Sequence, residues 1–222
     1  MSSAFFLSVI VVGLSLLSIL ARYFFRICDA ANGADWGNAW LNRLDGFNRL
    51  FCRYFHGLKF NQLKLPTHGS GIVVANHVSG LDPLLMIAAT PRPLRFMIAR
   101  EQYNRFGLKW LFRAIGCIPV DREKNPKRVM RDAVDALERG EMIALFPQGG
   151  IELDQKKMYK LKVGAVRLAK LANCALYPMR IKGINKWSLG HTVLSVLIPS
   201  SAEIESFEPI DCANQADRKS VV

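Results

Sequence analysis

The hydrophobic pattern of the chain begins with a long uncharged run. Residues 1–21 carry no charged side chain, and their centre reads AFFLSVIVVGLSLLSILA. As a helix this run reaches roughly 31 Å, about one hydrocarbon thickness of a bilayer. Arg22 and Arg26 follow at once, with three aromatic residues between them, which is typical of a membrane–water interface. The pattern predicts an apolar membrane anchor over residues 1–27.

A cleaved signal peptide is the alternative interpretation of the same run. Signal peptides carry positive charge before the apolar core and small residues at the cleavage site. In this chain the positive charge follows the apolar run, and no convincing cleavage site is present. We therefore favour a retained anchor, and the basic flank favours a cytoplasmic location for the rest of the chain.

A stripe of aromatic and aliphatic residues follows the anchor. Its members recur at steps of three and four, which is the period of one helical face: Trp36, Trp40, Leu44, Phe47, Phe51, Phe55 and Leu58. Arginines on the other faces are able to reach headgroup phosphates while the rings lie among acyl chains. We predict an amphipathic interfacial helix within residues 28–59. The alternative is an ordinary helix that packs on the domain core.

From residue 60 onward, short apolar runs alternate with helical patterns. Strands are predicted at 71–75, 94–99, 117–120, 142–146, 175–181 and 193–198, and helices at 82–89, 101–115, 125–139 and 162–172. Regular alternation of this kind indicates an α/β fold with a largely parallel central sheet flanked by helices. We assign residues 60–210 to this domain and residues 211–222 to a polar tail.

Composition narrows the class of protein further. The chain has 222 residues, is 50% hydrophobic and has a net charge of +12, so it is able to bury a core and suits anionic partners. Five scattered cysteines without CxxC spacing indicate neither a disulfide framework nor a zinc site. No cluster of metal-ligating residues is evident, so no metal is expected.

Candidate chemistry lies directly after the predicted strand GIVVA. His77 follows that strand, and Asp82 with Pro83 resembles a helix N-cap with proline at the first position. A short turn containing Gly80 is able to bring the carboxylate to the imidazole, which would orient the ring and support its protonated form. His77 would then accept a proton from an alcohol. Taken singly, a histidine at a strand end and an aspartate before proline are more often structural.

The sequence NHVSGLD at 76–82 resembles the NHxxxxD signature of the glycerolipid acyltransferase family, whose bacterial archetype is 1-acylglycerol-3-phosphate acyltransferase. The resemblance implies that His77 is the general base and Asp82 its partner. Later blocks in the same order extend the resemblance over about residues 60–200. The predicted anchor and interfacial helix agree with the two-helix element that precedes the domain in bacterial members.

Two of these later blocks are basic. GCIPVDR at 116–122 is similar to the family's glycine-to-arginine motif, which implies that Arg122 binds the phosphate of the acceptor; a guanidinium suits that task. KLKVGA at 160–165 is similar to the family's Lys-x-Gly stretch, which implies that Lys162 contacts a phosphate of acceptor or donor. The alternative for both residues is a solvated surface charge.

The block FPQGGIE at 146–152 resembles the family's FPEGTR element but departs from it. Gln148 stands where glutamate is usual, and Gly150 with Ile151 replaces the threonine–arginine pair. Gln148 keeps hydrogen-bonding groups but carries no charge. Gly149 and Gly150 are able to offer backbone N–H groups to an anion, although glycine pairs usually mark only a turn. The resemblance implies that all three residues bind substrate.

We therefore expect an O-acyltransferase that moves a fatty acyl group from acyl-CoA or acyl carrier protein to the free hydroxyl of a lysophospholipid. The resemblance implies 1-acylglycerol-3-phosphate as acceptor and phosphatidic acid as product, with no bound cofactor, since the acyl donor is a substrate. Another lyso-lipid, such as a lyso-aminolipid, is the alternative acceptor. A non-catalytic basic protein that binds membranes is the alternative from another class; nucleic acid is not an expected partner.

The expected location is a membrane, with the catalytic domain on the cytoplasmic face. Resemblance to bacterial members implies the bacterial inner membrane, where anionic phospholipid is the partner of the basic surface. Two arrangements of the anchor stay open: it spans the bilayer, or it pairs with the second helix as a hairpin within one leaflet.

Overall fold

The computed structural model describes residues 3–61, 63–121, 126–151, 163–185 and 194–212. Within these residues the helices are α1 Ser3–Ala31, α2 Ala39–Tyr54, α3 Asp82–Ala89, α4 Arg100–Tyr103, α5 Lys109–Ala114, α6 Pro126–Glu138, α7 Gly164–Leu171 and α8 Leu194–Leu197. The strands are β1 Lys59–Phe60, β2 Gly71–Ala75, β3 Leu94–Ala99, β4 Ile118–Val120, β5 Met142–Leu145, β6 Leu176–Lys182 and β7 Glu203–Ser206.

The described strands form one mixed sheet in the order β1-β7-β6-β2-β5-β3-β4. Every pairing is parallel except that of β6 with β7. The parallel strands β6, β2, β5, β3 and β4 therefore end at the same edge of the sheet. This architecture confirms the predicted α/β class with a largely parallel sheet. The central strand β2 is buried on both faces, which explains its uninterrupted apolar sequence.

Two apolar clusters cover the two faces of the sheet. On one face, Leu85 and Met86 of α3 pack with Phe51 of α2 and Phe112 of α5. On the other face, α6 and α7 supply a separate cluster, which includes Leu137. The α2, α3 and α5 helices thus share one side of the domain, and this side also carries α1 through the contact of α1 with α2.

The long apolar helix α1 stands against α2 and is otherwise exposed. Among the described helices it alone is long and apolar enough to cross a membrane, and an 18-residue stretch within Phe5–Ala31 has a mean hydropathy of 2.3. Aromatic contacts and an ion pair join the two helices. The ring centroids of Phe24 and Phe47 are 6.1 Å apart, and Arg43 of α2 donates to both carboxylate oxygens of Asp29 at 2.9 Å. The helix does not end at the interfacial arginines but continues to Ala31.

Three sequence predictions differ from the structure. The helix predicted at 101–115 is divided into α4 and α5 by a turn in which Gly107 has a φ of 78°, a conformation that glycine adopts readily. The strand predicted at 193–198 is wrong, because Leu194–Leu197 form the short helix α8. A brief apolar run does not distinguish strand from helix by periodicity. The strands β1 and β7, at one end of the sheet, were not predicted, because their sequences KF and EIES are short and largely polar.

A close approach of α1 and α2 predicts a glycine requirement at position 46. A Cβ atom added at Gly46 would lie 1.8 Å from the carbonyl oxygen of Cys28 in α1, so Gly46→Ala must separate the helices. We expect this variant to lower the free energy of unfolding by about 1–3 kcal/mol, measured by thermal unfolding in detergent. Gly13→Ala is the control, because nothing lies within 4 Å of its added Cβ. Equal melting temperatures for the two variants would contradict the close approach.

Candidate active site

The loop after β2 brings His77 and Asp82 into direct contact. Asp82 is the first residue of α3, and its Oδ2 lies 2.8 Å from Nδ1 of His77. The expected fold-back of the turn between them is thus present. A carboxylate accepts the Nδ1 proton, which leaves the lone pair of Nε2 to act as a base.

The Asp82 carboxylate is fully buried and is held by the same loop. Oδ2 also accepts the backbone N–H groups of Val78 at 2.7 Å and Ser79 at 2.9 Å, and Oδ1 accepts the Ser79 hydroxyl at 3.0 Å. The carboxylate therefore points back into the loop instead of capping its own helix, where Leu81 occupies the N-cap position. Four donors compensate for the water that the buried charge has lost.

The imidazole of His77 is stacked on an aromatic ring that directly follows the neighbouring strand β5. The centroids of the His77 and Phe146 rings are 4.0 Å apart with an interplanar angle of 12°. The His77 side chain is 18% exposed, so a substrate is able to reach it while most of the ring is shielded. Asp82 on one side and Phe146 on one ring face restrict the orientation of the base.

The register of β2 and β5 explains why the motifs at 76–82 and 146–150 meet. Val74 pairs with Leu145 in a parallel ladder, so the residues after each strand emerge side by side. The backbone N–H of His77 donates to Oε1 of Gln148 at 2.6 Å. A glutamate at position 148 would accept the same hydrogen bond, so the unusual glutamine preserves this contact while removing a charge.

The glycine pair after Gln148 forms a turn at the same edge. Gly149 has a φ of 77° and donates its N–H to the carbonyl of Phe146 at 2.9 Å. Gly150 is exposed, with nothing within 4 Å of an added Cβ. The structure thus places Gln148 and this turn beside His77. Arg122 and Lys162, the two basic residues predicted to bind substrate, lie outside the described residues.

Two polar residues of the first motif were given no role from sequence. Asn76 extends the β2–β6 pairing with its side chain, donating to the carbonyl of Ile181 at 3.0 Å and accepting its N–H at 2.7 Å. Ser79 is fully buried and binds Asp82. Their position within the seven-residue segment 76–82 around His77 is the signal that would have identified them. Both residues hold the loop, and through it the base, in place.

The geometry is that of a general base supported by a buried carboxylate. Such a pair removes a proton from a hydroxyl group in step with attack of its oxygen. Within the described part of the chain, the hydroxyl in contact with this pair is that of Ser79, which bonds to Asp82. The arrangement therefore suits activation of a hydroxyl that the substrate supplies.

Comparison with known proteins agrees with this chemistry. The family model described as Acyltransferase matches residues 58–182, which is more than half of the chain. The chain is 23% identical over 125 residues to the 1-acyl-sn-glycerol-3-phosphate acyltransferase of Bacillus subtilis, covering 56% of this chain and 61% of that protein. It is 31% identical over 131 residues to the probable 1-acyl-sn-glycerol-3-phosphate acyltransferase of Mycoplasma pneumoniae, covering 54% and 46%. The chain spans about half the length of the curated relatives it matches.

A solved structure shares the fold. The crystal structure of the 1-acyl-sn-glycerophosphate (LPA) acyltransferase PlsC from Thermotoga maritima aligns with a TM-score of 0.64 and 20% identity, covering 83% of this chain and 76% of that chain. The likeness extends beyond the segment that the family model matches.

The buried carboxylate predicts a large stability loss on its removal. Asp82→Ala leaves buried donors of His77, Val78 and Ser79 without an acceptor, at a cost of at least about 2 kcal/mol in the free energy of unfolding. Thermal unfolding measures this loss. Asp135→Ala, at an exposed position of α6, is the control and should change stability by less than about 0.5 kcal/mol. A loss of similar size in the two variants would contradict the assignment of the Asp82 hydrogen bonds.

Proposed function

The chain belongs to the acyltransferase family, and we propose that it is a membrane-associated O-acyltransferase that acylates the free hydroxyl of a lysophospholipid. The observation that carries the proposal is the 2.8 Å contact between His77 and the buried Asp82 at the carboxyl edge of the sheet. The names of the curated relatives support 1-acylglycerol-3-phosphate as the acceptor and phosphatidic acid as the product.

In the proposed reaction, Nε2 of His77 removes the proton of the acceptor hydroxyl as its oxygen attacks the carbonyl carbon of the thioester. A carbon–oxygen bond forms and the carbon–sulfur bond breaks. The imidazolium then returns the proton to the leaving thiolate, so the base is regenerated. Asp82 stabilises the imidazolium through Nδ1, and the stacked Phe146 restricts the ring to one plane. The thioester donor is acyl-CoA or the acylated form of acyl carrier protein.

Recognition of the acceptor phosphate is proposed for basic residues and for the glycine turn. A guanidinium at Arg122 and an ammonium at Lys162 are the charged candidates. The turn at Gly149 and Gly150 adds backbone groups beside the base, as its position next to His77 supports. Gln148 has the separate role of positioning the His77 main chain.

The altered block at 148–151 favours a second candidate acceptor. Glutamine has no charge with which to hold a neighbouring arginine, and Gly150-Ile151 leaves the block without its usual arginine. A site that binds phosphate less strongly would accept a lyso-lipid with another headgroup, such as a lyso-aminolipid. The chemistry at His77 is the same in both cases, so only the preference among acceptors distinguishes them.

Membrane association is supported by an inverted distribution of polarity on α2. Two of its charged residues face the protein: Asp45 is 3% exposed, and the Arg49 guanidinium donates to carbonyls at the end of α3, including Ala88 at 2.9 Å. Its rings face outward, with Trp40 62% and Phe47 45% exposed. Such a surface matches an interfacial helix beside the apolar α1. We propose that these helices attach the domain to the cytoplasmic face of the bacterial inner membrane.

The role of His77 predicts a specific loss of catalysis. His77→Ala should lower kcat by roughly 100- to 10,000-fold, since the general base is removed, while membrane partition stays unchanged. The assay offers a panel of lyso-lipids with acyl-CoA or acyl carrier protein, and products are identified by mass spectrometry. Phosphatidic acid as the main product supports 1-acylglycerol-3-phosphate as acceptor, whereas another product supports the alternative. A His77→Ala rate within about tenfold of the wild-type rate would refute the assignment of His77 as the general base.

The bond from the His77 main chain predicts a contrast between two substitutions of Gln148. Gln148→Glu retains an oxygen acceptor and should keep kcat near the wild-type value. Gln148→Leu leaves the His77 N–H without its acceptor and displaces the base, so kcat should fall about tenfold, or about 1.4 kcal/mol in activation free energy. The KM for the donor should not change. Equal kcat values for the two variants would show that this hydrogen bond does not position the base.

A further inference from the structure

The turn between α4 and α5 carries an aromatic side chain that contacts almost nothing. Phe106 has a relative exposure of 105% and Trp110 one of 62%. The N–H of Leu108 donates to the carbonyl of Arg105 at 3.1 Å, and Gly107 adopts a φ of 78°. This is a tight β-turn with Phe106 at its tip. The turn therefore projects the ring away from the domain instead of folding it into the core.

Basic residues surround the exposed rings. The segment 100–113 reads REQYNRFGLKWLFR, with four basic side chains and one acidic side chain. Arg105, Lys109 and Arg113 are exposed. Aromatic rings at a tip with cations around it match the surface of an anionic bilayer, where rings enter the headgroup region and cations contact phosphates.

The turn lies on the same side of the domain as the outward rings of α2. Phe112 of α5 and Phe51 of α2 pack into one apolar cluster, whereas α6 lies on the opposite face of the sheet. The chain reaches the turn from the carboxyl end of β3 through α4. The Phe96 ring of β3 lies 6.2 Å from that of Phe146, the ring stacked on His77. A surface that contacted both α2 and the turn would therefore adjoin the catalytic edge.

We propose that the segment 105–110 is a second membrane-contact site, which inserts Phe106 and Trp110 into anionic phospholipid. The α1–α2 pair attaches the chain at one end of the domain, and the turn provides a second point that prevents the domain from rotating about the anchor. The catalytic edge is thereby held against the bilayer, where the acceptor lies. This inference rests on the proposed acyl transfer at a membrane.

The test places an environment-sensitive fluorophore at the tip of the turn. All five native cysteines are buried, and burial raises the pKa of Cys52 and Cys117 to about 12, so Phe106→Cys is labelled selectively. The full-length protein is reconstituted in nanodiscs of phosphatidylglycerol and phosphatidylcholine. Glu138→Cys, at an exposed position of α6, is the matched control. We expect blue-shifted emission and quenching by spin-labelled lipid at position 106, and neither at position 138.

Three outcomes would overturn the proposal. In the first, the label at 106 behaves like the label at 138. In the second, it responds equally in discs of pure phosphatidylcholine, which would exclude recognition of anionic lipid. In the third, it responds to soluble acyl carrier protein and not to lipid, which would make the segment a donor-docking surface. If the label at 106 stays in water while acyl transfer is normal, the second contact site is rejected and the proposed function is not. Loss of the proposed function is diagnosed separately, by full activity of His77→Ala.

Catalysis provides an independent readout of the same contact. Phe106→Ser combined with Trp110→Ser should lower kcat/KM about tenfold or more for an acceptor presented in anionic vesicles, because two rings leave the lipid. The same double variant should retain kcat/KM for a short-chain lyso-lipid dissolved as monomers. Equal losses with the two acceptors would indicate damage to the domain and contradict the membrane role.

Discussion

The buried carboxylate of Asp82 is the contact on which the catalytic geometry depends. An ionised group without water requires donors on all sides, and the donors nearest in the chain are the amides, hydroxyl and imidazole of residues 77–79. Satisfying the charge therefore folds the loop and orients the base in the same step. This explains how a histidine and an aspartate five positions apart produce a defined imidazole at the start of a short helix.

The parallel sheet supplies the second constraint. Because β2 has β6 and β5 as neighbours, the residues that follow these strands meet at one edge. Asn76 forms two hydrogen bonds with the backbone of β6, and Gln148, which follows β5, accepts a hydrogen bond from the His77 amide. The loop is thus restrained from both neighbouring strands. Phe146 adds a stacked ring, so the base is held by main chain, carboxylate and aromatic face together.

On the outer surface, aromatic side chains face outward while an ion pair faces the domain. In α2 the ion pair of Asp45 with Arg49 faces the domain and caps the end of α3, while Trp40 and Phe47 face outward. In the turn after α4, Phe106 is likewise directed outward. Aromatic side chains exposed among cations are unfavourable in water but suited to a lipid interface. The proposed membrane association and the second contact site both arise from this arrangement.

Local patterns in the sequence were sufficient for the fold class, the bounds of α3 and β3, the apolar helix and the meeting of His77 with Asp82. The elements and the His77–Asp82 contact depend on neighbours within a few residues, and the fold class follows from the order in which strands and helices alternate. The break at Gly107, the helix at 194–197 and the strand β7 depend on competition between local preference and long-range packing, which one sequence does not resolve. The same holds for the link between His77 and Gln148, which lie 71 positions apart. Only the sheet register joins them, and that register is set by how whole strands bury their faces.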